Sequence, residues 1–416
     1  MFGVKTKIFN RFKNYFEVTE FSKKNISKFD NKVFTLIAKK RLNEESKLIN
    51  LQNPLVRKVN PFATNIIKAT ANYMPNNLGN WSIKEPNTLT SQVEQNLIKI
   101  LKQYYHCNDT VIGHCGSGTT EGNIYATWIG RNYLLKKLSL KSTDHIVLIK
   151  SCLAHYSIDK AADLTGINLV KISINRHQFN LDQKELTKKI NNLYKKGIKG
   201  FLIPLTLGYT LTGTDDDYQN ICSLVERFKK SHTDCEFFLW IDAAATGIYK
   251  IFTEKNFEPL TNENIQLIST DFHKFLAVPY PANVLLYRKS LLNYIKKYIP
   301  YIDQMDTTLL GSRPGINVLS AWISLLNLNE KKMRKSIRDA TDRKETFLTQ
   351  ISKEHLDIEI INNVNSLQAC LISNNHFSQE TLANKYKLQF INYNLLIKAK
   401  SEKLNLYKLY FLPNFN

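Results

Sequence analysis

The sequence lacks any CxxC pair among its six cysteines (107, 115, 152, 222, 235 and 370), and none has a zinc-type spacing. That absence argues against a bound metal and for reduced thiols in a cytosol-like compartment. No apolar run approaches the roughly 20 residues a membrane span requires, and the first residues lack the uninterrupted apolar core of a secretory signal. A soluble, cytoplasmic chain with no integral membrane association is expected. Internal repeats and low-complexity tracts are also missing, which excludes solenoids and linker-like tails. Acidic residues are scarce: 36 Asp and Glu stand against 57 Lys and Arg, for a formal charge of +21. The basic excess is spread over the first sixty residues and the lysine-rich stretches after 330, and no nucleic-acid-binding motif accompanies it. It is read as a habit of composition, with no nucleic-acid partner.

What is present is enough for a large core. With 416 residues, 43% of them hydrophobic, one large domain and a smaller one are expected. Phe2, Lys5, Phe9, Phe12 and Phe16 suggest an N-terminal basic amphipathic helix, packed on its own domain or a partner subunit, with a membrane surface as the alternative. Between about 110 and 290, short apolar runs alternate with helical stretches. The runs are VIGH (111–114), HIVLI (145–149), NLVKI (168–172), FLIPLTL (201–207), FFLWID (237–242), IQLIST (265–270) and NVLLY (283–287). They are apolar on both parities, as strands covered on both faces should be, and helices at 121–137, 155–164 and 216–230 fill the gaps. The pattern predicts an α/β layer structure with a largely parallel central sheet, whose ligands bind beyond the carboxyl ends of the strands.

Four loops at those ends carry unusual residues. After the first strand, CGSGTTEGN (115–123) leads small residues and two threonines into a helix. Its free N–H groups and the helix dipole make an anion cradle, to which Thr119 and Thr120 add hydroxyls; a simple N-capped turn is the plainer alternative. The loop is neither GxGxxG nor GxxxxGK[ST] and names no nucleotide. CLAHYSIDKA (152–161) puts His155 at a strand-to-helix junction, and WIDAAATG (240–247) ends an apolar strand with Asp242, a carboxylate that needs a cationic or hydrogen-bonding partner there. STDFHKFLAVPYP (269–281) places Lys274 after the sixth strand, beside His273. An anion cradle, a flat ring, a buried carboxylate and an amine together suit one ligand, pyridoxal 5'-phosphate.

At these residues the sequence resembles the group II pyridoxal-phosphate-dependent amino-acid decarboxylases of fold type I, and most closely the bacterial histidine decarboxylase branch with its plant serine decarboxylase relatives. The stretches that carry the resemblance are NNLGNW (76–81), GTTEGN (118–123), AHYSIDKA (154–161), DAAATG (242–247), HKFLAVPYP (273–281) and YIDQMDTTLLGSRPG (301–315), in order over some 240 residues. The resemblance implies a mostly parallel seven-stranded sheet with helices on both faces and a small C-terminal α/β domain. It divides the chain into an N-terminal helical segment on the dimer partner (1–70), a large cofactor-binding domain (71–325) and the small domain (326–416). Lys274 is similar to the Schiff-base lysine, His273 and the pair Thr119 and Thr120 to the phosphate-binding residues, and His155 to the imidazole stacked on the ring. Asp242 is similar to the carboxylate paired with the pyridinium nitrogen, and Ala244 to the residue packed on the opposite face. Ser312 resembles the residue that reaches the phosphate from the neighbouring subunit, which implies a homodimer with shared active sites. Thr210, in LGYTLTG, is a looser match to a residue that hydrogen-bonds the cofactor. The segment 294–311 resembles a mobile loop, with Tyr301 as a candidate proton donor at Cα or an interface residue.

The implied reaction is decarboxylation of a free L-amino acid to its amine and CO2. Departures from the family pattern keep two alternatives open: a carbon–carbon lyase on the same scaffold, and a homologue without catalysis. Asp271 and Phe272 stand where a Ser-Gly pair is usual before His-Lys, so Asp271 either turns away or weakens phosphate binding. Ile316 replaces the histidine expected after the GSRxG motif, and Leu78 and Asn80 replace Cys and Asp in the pocket stretch.

Overall fold

The computed structural model of the chain describes residues 58–78 and 88–413, together with Lys39, Leu42, Asn43, Leu51, Gln52 and Phe415. Two compact units divide it, Met1–Ile49 and Asn50–Asn416. Both large sheets belong to the second. The expected amphipathic helix at the N-terminus lies outside the described residues, as does Asn80.

Seven apolar runs become the strands of one sheet: β1 Val111–Gly116, β2 Ile146–Ser151, β3 Asn168–Ile172, β4 Gly200–Thr206, β5 Glu236–Asp242, β6 Ile265–Asp271 and β7 Asn283–Arg288. Their spatial order is β1-β7-β6-β5-β4-β2-β3. All neighbours pair in parallel except β7, which runs antiparallel to both β1 and β6. The sheet is therefore mostly parallel, as expected. β1, β2 and β4 are buried along their whole length because helices cover both faces, whereas the edge strand β3 is open over most of its residues. Register levels the carboxyl ends. Thr206 lies opposite Asp242, which lies opposite Ser269, and Asp271 pairs with Asn283, which pairs with Gly116.

The covering helices include α1 Pro61–Thr70, α2 Leu89–Tyr104, α3 Thr119–Lys137 and α4 Ser157–Thr165. α2 starts from a capping box in which Thr88 and Ser91 exchange side-chain and backbone bonds. Its buried stripe of Leu97, Ile98 and Leu101 also contains Glu94, at i, i+3, i+4 and i+7. α3 crosses the sheet closely enough that only glycine fits at position 122, since a Cβ there would meet Ser269 Oγ and lie 2.9 Å from Ser269 Cβ.

Beyond 326 the chain forms the long helix Glu330–Ser352, the strands β8 Glu359–Asn362 and β9 Gln368–Ile372, the helix His376–Tyr386, and the strands β10 Ile391–Ile397 and β11 Lys400–Tyr410. These four strands build a six-stranded sheet with the short segments Ile174–Asn175 and Asn180–Leu181. The C-terminal sheet thus takes its last two strands from the middle of the chain.

The close approach at Gly122 generates a prediction. Gly122→Ala should cost about 1–3 kcal/mol, the usual penalty for overpacking a dense core, and lower the midpoint of chemical denaturation. An unchanged midpoint would show that α3 is not seated on β6 as described.

Candidate active site

β1 ends at Gly116, and Ser117 and Gly118 turn the chain into α3. Gly118 sits at φ 89°, in the left-handed region that a side chain resists. Glu121 steadies the turn by accepting the Ser117 N–H, and burial raises the Glu121 pKa above the ordinary carboxylate range. Thr119 is buried on this first turn and Thr120 is exposed.

The cradle is filled from within the chain. Thr119 donates its N–H to Asp271 Oδ1 at 2.9 Å and its hydroxyl to the same oxygen at 2.8 Å. Behind it, Asn283 Nδ2 donates to Ser269 Oγ at 3.2 Å, and Ser269 donates to Thr119 Oγ1 at 3.1 Å. The second oxygen of Asp271 faces His273 Nε2 at 3.3 Å and Lys274 Nζ at 3.4 Å. The main chain of Ala282 holds His273 Nδ1. Lys274 sits on the short helix Phe272–Phe275 with 27% of its side chain exposed.

A second network starts four residues along α3. Asn123 donates Nδ2–H to Asp242 Oδ2 at 2.8 Å and to Ser157 Oγ at 2.9 Å, and its carbonyl accepts the Trp240 indole N–H at 3.0 Å. The Ala244 N–H meets the other oxygen of Asp242 at 3.1 Å. The buried Asp242 therefore has a donor on each oxygen, which meets the need inferred from its apolar strand. Ser157 Oγ lies 2.8 Å from His155 Nδ1 and orients the ring. Burial lowers the His155 pKa; Asp242 and Asp271 oppose the shift, while Lys274 and Lys150 add to it. His155, Asp242, Asp271 and Lys274 thus share one electrostatic neighbourhood. Ala244, half-buried, joins the two networks because its carbonyl accepts the Asp271 N–H at 3.3 Å.

Four expected residues, Thr120, Thr210, Ser312 and Tyr301, are not tied to this cluster by a hydrogen bond or ion pair among the described residues. Thr210 lies in the turn after β4, where its carbonyl accepts the Tyr410 hydroxyl at 2.7 Å. Ser312 is exposed on a short strand paired with Asn76–Leu78, where Asn76 Nδ2 lies 3.2 Å from its hydroxyl. Tyr301, 86% exposed, occupies the turn between Lys297–Ile299 and Gln304–Asp306.

Several structuring residues were not singled out from sequence. Asn123, Ser157, Ser269 and Asn283 carry no signal alone, although Asn123 shares a helix face with Thr119 at i, i+4. Glu94 was findable as a lone acid on an apolar stripe. Its carboxylate accepts the Cys115 N–H at 2.7 Å and pairs with the buried Arg313 at 2.5 Å, while Arg313 also donates to the Cys115 carbonyl. That pair pins the end of β1 to the GSRPG motif.

The residues present fit the ring half of pyridoxal phosphate: a satisfied carboxylate, a neutral imidazole and an amine converge. The phosphate half differs, because Asp271 does not turn away and its carboxylate takes the donors of the cradle.

Comparison with known proteins shows the family and the fold. A family model described as the pyridoxal-dependent decarboxylase conserved domain matches residues 59–372. The chain is 28% identical over 285 residues to the tryptophan decarboxylase of Clostridium sporogenes, covering 67% of each. It is 25% identical over 267 residues to the histidine decarboxylase of Vibrio anguillarum, covering 64% of this chain and 65% of that one. Its structure matches the L-methionine decarboxylase of Streptomyces sp.590 with a TM-score of 0.74 at 18% identity, over 92% of both chains, a likeness of fold. Fold and family model together define a fold type I pyridoxal-phosphate enzyme. The chain belongs to the pyridoxal-dependent decarboxylase family, and it is a carboxy-lyase acting on an amino acid. Among the described residues, no helix is long and apolar enough to cross a membrane.

Because burial holds the imidazole neutral, protonating His155 opposes folding. Its contribution to stability is full above the ordinary histidine pKa and is lost as pH falls below it. A histidine-selective NMR titration should place the His155 midpoint below that of a free imidazole; a midpoint above it would contradict the environment described.

Proposed function

We propose that this chain removes the α-carboxylate of a free L-amino acid with the residues of the Lys274 cluster in the following roles. Lys274 holds the aldehyde of pyridoxal phosphate, and its position beside Asp271 on the short helix after β6 keeps the amine at the mouth of the cluster. Asp242, oriented by Asn123 and the Ala244 N–H, would hold the pyridine nitrogen. His155, a neutral imidazole steered by Ser157, would help hold the ring, as would Ala244. When bound, pyridoxal phosphate supplies a carbonyl for the substrate amine and a conjugated ring that takes up the electrons of the departing carboxylate. The negative charge of Asp242 would keep that pyridine nitrogen protonated.

The convergence of Asp242, His155, Lys274 and His273 at one carboxyl edge carries this reading. Thr119, Thr120 and His273 line the phosphate end, and Thr210 comes from the adjoining loop. Ser312 and Tyr301 complete the site of a second copy, Ser312 toward its phosphate and Tyr301 as donor of a proton to Cα; their exposure in one chain supports that arrangement. A homodimer in the cytoplasm is the form that would work.

The test is a panel of free amino acids, with histidine, serine, aspartate and tryptophan first, scored for amine and CO2. Wild type should release both from at least one substrate. Lys274→Ala should release neither, and Asp242→Asn should be slower by roughly a hundredfold or more, the scale of removing one preorganised group. Cleavage of a side-chain carbon–carbon bond without CO2 would favour the lyase alternative. A monomer by sedimentation equilibrium would remove the roles given to Ser312 and Tyr301.

A further inference from the structure

Asp271 is the acid of the cluster whose only part in the chemistry above is to place the Lys274 amine. It is 3% exposed and is faced by four donors: the Thr119 N–H and hydroxyl, His273 Nε2 and Lys274 Nζ. The relay from Asn283 through Ser269 to Thr119 runs donor to acceptor and terminates on its carboxylate. Such polarity requires a fixed acceptor at the end of the chain. A serine at 271 would also donate, and it would leave the N-terminus of the 19-residue helix α3 for an outside anion. The main chain around Asp271 is clamped as well. Its N–H donates to the Ala244 carbonyl at 3.3 Å, the next N–H donates to the Ala282 carbonyl at 3.0 Å, and Phe272 is buried in the core.

We propose that Asp271 is a built-in anion occupying the phosphate end of the cofactor site, so that this chain recognises a pyridoxal-type aldehyde by its ring and carbonyl and gains little from a phosphate. This rests on the assignment of Lys274 as the attachment point. An incoming dianion must displace a carboxylate from charge-assisted hydrogen bonds and then lie beside it, and both steps oppose binding. The cradle is a property of backbone and threonine, so it reappears once the acid is removed.

Equilibrium dialysis of the purified full chain against pyridoxal phosphate and against pyridoxal tests this, using wild type, Asp271→Ser and Asp271→Asn. The ratio of the two affinities, compared between proteins, cancels the aldehydes' own behaviour in solution. Asp271→Ser should shift the ratio of affinities toward pyridoxal phosphate over pyridoxal by roughly tenfold to a hundredfold, the worth of a hydrogen bond to a charged group, with any loss of the contact to Lys274 falling on both aldehydes alike. Asp271→Asn keeps the shape and carries the test should the serine variant fail to fold. Inorganic phosphate should raise the melting temperature of Asp271→Ser and leave that of wild type unmoved. If all three proteins bind pyridoxal phosphate equally and far more tightly than pyridoxal, the proposal is wrong while the cofactor assignment stands. If neither aldehyde binds any of them, both fall together.

Discussion

The seating of α3 on the sheet is the constraint from which the site follows. Its first turn can approach β6 only because residue 122 has no side chain. From that position Thr119 reaches Asp271, Asn123 reaches both Asp242 and Ser157, and Ser157 orients His155. Three loops that are remote in sequence are thus fixed by side chains one helical turn apart. A shift of α3 by the width of a methyl group would disturb them all, because a hydrogen bond weakens steeply once its donor and acceptor are drawn apart.

Two carboxylates share this neighbourhood, and their partners separate their roles. Asp242 is met by a side-chain amide and a backbone N–H, both neutral donors, so its charge stays available to a cationic ring. Asp271 is met by a helix N-terminus, an imidazole and an ammonium group, so its charge is already spent on the protein. The first arrangement suits a ligand that brings positive charge. The second suits a protein with no outside anion to hold. The buried pair of Glu94 and Arg313 adds a third charge system, which fastens β1 to the strand carrying Ser312 and so joins the cradle to an exposed edge.

Much of this was legible in the sequence. Strands covered on both faces announce themselves as continuous apolar runs, and the seven sheet strands begin and end within two residues of where those runs place them. Lys274, His155 and Asp242 could be picked out because an amine, an imidazole and an acid at strand ends are out of place unless they serve something. The antiparallel direction of β7 could not, since a buried strand looks the same run either way. Nor could the contribution of Ile174–Asn175 and Asn180–Leu181 to the C-terminal sheet, because two-residue strands have no period. The orientation of Asp271 was undecidable for a different reason. The sequence showed a misplaced acid, but whether it faced the cradle depended on Ser269, Asn283 and Thr119 meeting across 164 residues of chain, from 119 to 283.

The central claim is that Lys274 is the group to which the cofactor becomes attached. Borohydride reduction of the protein mixed with pyridoxal phosphate, followed by protease digestion and peptide mass spectrometry, addresses it directly. The account predicts a stable pyridoxyl adduct on the peptide containing Lys274. An adduct confined to other lysines, with the Lys274 peptide recovered unmodified, would contradict it.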